Sequence, residues 1–131
     1  MKNEEKKVIL IVEDELPLSK AIGIKIEKSG LRPLQARSVS EAIDLLKKPE
    51  GVDVIWLDHY LLGEKNGLEF VVELKSNDEW KGIPVFVVSN TAGQEKVSAY
   101  LKLGINKYYT KSDVHLDKVI EDIKQALNVK E

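Results

Sequence analysis

The sequence predicts an α/β protein: a three-layer sandwich in which a five-stranded parallel sheet, ordered 2-1-3-4-5, is flanked by five helices. Three observations lead there. Short apolar runs alternate five times with segments of helical periodicity, the pattern of strand-then-helix units that build a parallel sheet. The first, third and fourth runs are apolar almost without interruption, as strands buried on both faces are, whereas the second and fifth are mixed. Placing the mixed strands at the edges gives the order 2-1-3-4-5. Strands one and three then lie side by side where the chain reverses direction, and open α/β sheets bind ligands at such a point.

The elements follow in order. Val8 to Val12 form a doubly buried strand that ends in Glu13-Asp14-Glu15. Pro17 suits the first turn of a helix, and Leu18, Ala21, Ile22 and Ile26 recur at helical spacing until Gly30, with Ile24 off that stripe. Residues 31–37 alternate weakly and contain Pro33, which a central strand excludes, so they form an edge strand. Ser38 and Glu41 have capping-box spacing, and Val39, Ala42, Ile43 and Leu46 supply one helical face before Pro49 and Gly51. The run 52–58 is the central strand and ends at Asp58. A loop from His59 to Asn66 leads to a third helix at 67–75. Residues 83–88 are the fourth strand, with Pro84 tolerated at its start and Ser89-Asn90-Thr91 after it. Residues 94–103 form a helix with Val97, Tyr100 and Leu101 inward and Gly104 as terminator. A more polar strand, 105–110, ends at Lys111-Ser112-Asp113. The last helix runs to about Asn128 on a stripe of Leu116, Val119, Ile120, Ile123 and Leu127.

With 131 residues and no linker, repeat or low-complexity segment, the chain is expected to be one domain over 1–131, with its core at about 7–128. Its 20 basic and 22 acidic residues are well mixed, so no nucleic-acid footprint is visible. The absence of cysteine excludes disulfides and thiolate metal sites and fits a reducing, cytoplasmic setting. The only apolar stretch near the start, Val8 to Val12, is too short for a signal peptide or a membrane span, so no membrane partner is expected.

Function is legible at the strand tips. Glu13 and Asp14 follow the first strand, Asp58 the third, Ser89 the fourth and Lys111 the fifth. Each has an ordinary alternative: Asp58 as a turn cap, Glu13 and Asp14 as acids on a helix dipole, Ser89 as an N-cap and Lys111 as a solvated lysine. Together they describe one chemistry. Three neighbouring carboxylates must take up protons or bind a cation, and with no histidine or cysteine in the set the ion is a hard one, magnesium with manganese as a substitute. A lysine ammonium and a serine hydroxyl can hold phosphoryl oxygens, and a carboxylate forms an acyl-phosphate once a metal cancels the charge between attacker and phosphoryl group.

From about residue 7 to 128 these features resemble the receiver domain of two-component response regulators, chemotaxis-regulator-like and of flavodoxin-like fold. Val8-Ile9-Leu10-Ile11-Val12-Glu13-Asp14-Glu15 is similar to the family's first strand and acid pair. Leu57-Asp58 with Gly63 and Asn66-Gly67 is similar to the phospho-acceptor segment, Pro84 to Ser89 to the strand bearing the hydroxyl, and Tyr108-Tyr109-Thr110-Lys111 to the lysine segment. The resemblance implies that Asp58 is phosphorylated by a histidine kinase or phosphotransfer protein and that Asp14 and Asp58 ligate magnesium. It further implies Glu13 as a ligand directly or through water, the Tyr60 backbone carbonyl as another, and Ser89 and Lys111 on the phosphoryl oxygens. Ser89 and Tyr108 would form the switch that re-shapes the face of the fourth helix, fifth strand and fifth helix for a downstream protein, in a monomer or a weak phosphorylation-dependent dimer. Tyr60 and Thr91 occupy positions that tune phosphoryl lifetime.

The sequence leaves the family pattern at four places. Leu62 replaces a proline, so a looser loop after Asp58 is expected. Ser112 replaces a proline that follows a cis bond, and a trans bond is expected because cis to serine costs roughly 3 kcal/mol. Asn90 replaces a small residue beside Ser89. His59 and Tyr60 follow the acceptor, and His59 is expected to point away from it because neighbouring strand residues face opposite ways. The expected function is a stand-alone switch that acts catalytically only on itself, with no DNA-binding module after residue 131. The alternative is a constitutive, phosphorylation-independent interaction domain. A flavodoxin-like electron carrier fits less well, since Glu13-Asp14-Glu15 would repel a flavin phosphate. An aspartyl phosphatase would place a second Asp at the position of Tyr60.

Overall fold

The computed structural model describes residues 6–90 and 93–129. Five parallel strands lie in the order 2-1-3-4-5: β1 (Val8–Val12), β2 (Arg32–Ala36), β3 (Val54–Leu57), β4 (Val85–Ser89) and β5 (Lys107–Thr110). The helices are α1 (Leu16–Lys28), α2 (Val39–Leu46), α3 (Gly67–Lys75), α4 (Gln94–Lys102) and α5 (Leu116–Ala126), with a short 3-10 turn at Lys111–Asp113 before the last. The predicted architecture and strand order are those observed. Among the described residues no helix is long and apolar enough to cross a membrane.

Strand polarity decides the order physically. Every residue of β1, β3 and β4 is buried, while β2 and β5 carry exposed and half-buried positions, so only β2 and β5 tolerate an edge. Because successive strand residues face opposite ways, the sheet divides the core in two. Leu10, Val12, Ile55, Leu57, Val85 and Val87 face α2, α3 and α4, whereas Ile9, Ile11, Val54, Trp56, Phe86 and Val88 face α1 and α5. Asp58 continues the parity of Trp56, and His59 that of Leu57.

Helix termini are set locally. Ser38 accepts the Glu41 N–H, but the Glu41 carboxylate reaches back to the Arg37 N–H, one residue earlier than the expected box requires. Asn66 and Glu69 form a complete reciprocal box at the start of α3. Gly67 follows the cap under steric compulsion: a Cβ there would lie 2.6 Å from the Asp58 carbonyl oxygen and 2.6 Å from the Tyr100 hydroxyl.

Three local expectations need correction. Leu101 is 51% exposed; α4 buries Tyr100 and half-buries Val97, and Leu101 lies a further 100° round the helix, outside the contact. In α1 the buried face is Ser19, Ile22, Gly23 and Ile26, with Ala21 exposed, because Gly23 lets the helix approach Gln35 of β2. The loop after Asp58 is not loose at Leu62: its N–H donates to the Arg37 carbonyl at 3.1 Å, and Ser38 and Leu62 form a parallel bridge. A proline at that position has no N–H to give.

Candidate functional site

Sheet register assembles the site. Val12 pairs with Leu57, so Glu13 and Asp58 leave adjacent strands together; Leu57 pairs with Val87, and Ser89 pairs with Thr110, which brings Ser89 and Lys111 to the same end. One oxygen each of Glu13, Asp14 and Asp58 lies within 4.8 Å of the others. Asp58 is only 4% exposed, Glu13 is fully buried and Asp14 is half-buried.

The Asp58 carboxylate is gripped on both oxygens. Asp58 Oδ1 accepts the His59 main-chain N–H at 2.7 Å, and Oδ2 accepts Lys111 Nζ at 3.1 Å. The same ammonium lies 3.0 Å from Glu13 Oε1 and 3.9 Å from Glu15 Oε1. Burial pulls the Lys111 pKa down, but the contact with Glu13 and the charges of Asp58 and Glu13 outweigh it and leave it raised. Burial, then the Asp58 charge, pushes the Glu13 carboxyl up to about 7, although the Glu15 N–H and Lys111 pull against the rise.

Glu13 Oε1 is buried and has the Lys111 ammonium 3.0 Å away as its counter-charge. A buried carboxylate oxygen is costly unless a cation or donor reaches it. An all-oxygen set of three carboxylates suits a hard divalent ion. An ion held by Glu13 would require its deprotonated form, so affinity would rise as pH passes about 7. Manganese titrated against Trp56 fluorescence is therefore expected to bind about tenfold more weakly near pH 6 than near pH 8. A flat profile would contradict it.

Ser89 is buried; burial pushes the phenol of the half-buried Tyr108 up while the Ser89 hydroxyl pulls against the rise, and the Tyr108 ring lies 5.7 Å from that of Tyr100. The structure thus brings Glu13, Asp14, Asp58 and Lys111 into one cluster and sets Ser89 near Tyr108. Tyr60 stands at the rim, 56% exposed, its ring 5.3 Å from Lys96 Nζ. Thr91 lies outside the described residues. Among the described residues no peptide is cis, so Lys111–Ser112 is trans, as expected for serine. The His59 ring lies across the sheet from the Asp58 carboxylate, with Nδ1 2.6 Å from the Tyr100 hydroxyl. Burial, then Lys96, lowers its pKa and keeps it neutral.

Two features escaped the sequence reading. Arg37, at the end of β2, donates from Nε and Nη2 to the Asp14 carbonyl, both at 3.1 Å, while its own carbonyl holds Leu62. It therefore ties the acid loop to the loop beyond Asp58. Only the edge position of β2 beside β1 signals this. The His59–Tyr100 bond joins residues 41 apart, and no spacing rule announces it.

The sequence profile of the response regulator receiver domain matches residues 9–124. The chemotaxis protein CheY homolog of Campylobacter jejuni is 32% identical over 104 residues, covering 79% of this chain and 79% of that protein. The phosphate regulon transcriptional regulatory protein PhoB of Escherichia coli is 32% identical over 103 residues, covering 79% of this chain but only 44% of PhoB. The chain thus spans less than half the length of that relative. Among solved structures, the manganese-bound form of the response regulator Rcp1 superposes with a TM-score of 0.75 at 29% identity, covering 91% of this chain and 92% of that one.

Proposed function

The chain belongs to the response-regulator receiver family, and from that premise we propose that Asp58 accepts a phosphoryl group from a sensor histidine kinase or a phosphotransfer protein, in a magnesium-dependent reaction that switches a protein-binding face. The observation that carries this reading is the Asp58 carboxylate itself: nearly buried, held by Lys111, and clustered with two more carboxylates.

In the reaction an oxygen of Asp58 bonds to phosphorus while the bond from phosphorus to the donor's imidazole nitrogen breaks, the bonding pair returning to that nitrogen. Asp14 and Asp58, Glu13 directly or through water, and the Tyr60 carbonyl would hold the ion. When bound, magnesium cancels charge between carboxylate and phosphoryl oxygens. Lys111 moves from carboxylate oxygens to a phosphoryl oxygen, and Ser89 turns its hydroxyl to another. Ser89 stands near enough to Tyr108 to act on its phenol, so that turn would alter the packing of Tyr108 and with it the face of α4, β5 and α5. The added charge biases two packings rather than creating a new one. The chain acts on its own carboxylate and turns over no other substrate; it works in the cytoplasm as one domain, a monomer or weak phosphorylation-dependent dimer, with a downstream protein at that face.

Incubation with acetyl phosphate and magnesium, followed by peptide mapping, tests the assignment. One alkali-labile, hydroxylamine-labile phosphoryl group on Asp58, absent from Asp58→Asn, is the expected result. Label that persists in Asp58→Asn would sink it. The bulky Tyr60 ring shields the acyl-phosphate from water in this reading, so Tyr60→Ala is expected to hydrolyse severalfold faster. An unchanged decay rate removes that role from Tyr60.

A further inference from the structure

Phosphoryl chemistry leaves one buried polar pair unused, His59 with Tyr100. We propose that His59 is a positioning residue that couples the orientation of the Asp58 carboxylate to the seating of α4. The inference rests on Asp58 being the acceptor and a metal ligand.

One residue grips both partners. The His59 main-chain N–H donates to Asp58 Oδ1 at 2.7 Å, and its buried ring bonds the Tyr100 hydroxyl at 2.6 Å on the α4 side of the sheet. Tyr100 is fully buried and comes from the last turn of α4, so its hydroxyl fixes the distance of that end of the helix from the tip of β3. That hydroxyl has little room on its other side, because a Cβ at Gly67 would approach it to 2.6 Å. A displacement of α4 must therefore pull on the His59 ring, and the turn of that residue carries the N–H that orients the carboxylate. The ring of Tyr100 also leans on that of Tyr108 on β5, 5.7 Å away between centres. The placement of α4 is thus tied to the acid site through His59.

Tyr100→Phe removes only the hydroxyl, and His59→Phe keeps a ring of similar bulk. Each is expected to slow labelling of Asp58 by acetyl phosphate about fivefold, the effect of losing one buried hydrogen bond. The double variant should be no slower than either single one, because both remove the same link. His59→Gln, whose amide can still meet the Tyr100 hydroxyl, is expected to recover most of the rate. Residues that merely pack would lower the melting temperature and leave the rate of the folded protein unchanged. Wild-type rates in both single variants, or losses that multiply in the double variant, would overturn the proposal. Manganese affinity, read from Trp56 fluorescence, separates this from the broader reading. If the wild type takes no label, the phosphoryl assignment fails. The proposal then stands if manganese binding weakens about fivefold in each single variant and no further in the double one, and falls if it does not.

Discussion

Gly67→Ala is expected to lower the melting temperature by roughly 10 °C, because the new methyl carbon has no space at any of its three neighbours. Its ideal position is 2.6 Å from the Asp58 carbonyl oxygen, 2.6 Å from the Tyr100 hydroxyl and 3.0 Å from His59 Cα. Two of these are backbone atoms that rotamer changes cannot move. Relief requires α3 to retreat, and α3 is held by the Gly67 N–H bond to the His59 carbonyl at 2.8 Å and by the Asn66–Glu69 box. Overpacking of this kind costs about 3 kcal/mol. Gly82→Ala is the control: nothing lies within 4 Å of its Cβ position, and its melting temperature should stay within a degree or two of wild type. Calorimetry of the two variants side by side settles the matter, and a wild-type melt for Gly67→Ala would refute the steric argument.

Lys111→Met is expected to cost about 3 kcal/mol in the presence of a chelator, and much less in millimolar magnesium. The ammonium is the positive charge found between Glu13 and Asp58, at 3.0 and 3.1 Å. Removing it leaves two buried carboxylates facing each other with only main-chain N–H groups to steady them. Glu13 would answer by holding its proton to still higher pH. A bound divalent cation replaces the lost charge, so the difference between chelated and magnesium-containing melts should be larger for Lys111→Met than for wild type. The carboxylates keep the Lys111 pKa above the ordinary 10.5, so its stabilisation is complete below that value and is lost only as pH rises through the raised one. At neutral pH Lys111 is therefore fully charged, and its contact with Glu13 strengthens as that carboxyl loses its proton around pH 7. Equal melts with and without the cation would mean that the carboxylates are not in contact with it.

Sheet order was readable because burial on two faces and burial on one leave different compositions. Val8 to Val12 has no polar residue at all, whereas Arg32–Ala36 includes a proline and a glutamine. The reactive cluster was readable for the same reason: a parallel sheet brings its strand ends together, so Glu13, Asp58 and Lys111 meet once the order is known. Helix faces were less secure. Leu101 belongs to the apolar set of α4 by residue type, yet Tyr100 and the half-buried Val97 satisfy the contact with the sheet, and a helix of about two and a half turns has few apolar positions to fix the phase. Arg37 and the His59–Tyr100 bond were invisible for a different reason. Both join segments whose proximity is a product of the fold, and a charged residue before a helix or a tyrosine within one has many uses that local sequence does not distinguish.

The edge strands have a bearing on what happens between molecules. A parallel sheet with open sides can extend by pairing with a second sheet, and a chain kept at high local concentration beside a kinase would be exposed to that hazard. On β2 the ring of Pro33 removes one backbone donor, and the exposed Arg32 sets a charge beside it. On β5 Lys107 reaches across to Asp122 of α5, at 3.0 Å, so this edge too carries a charged residue. Both margins of the sheet are thus poor templates for strand addition.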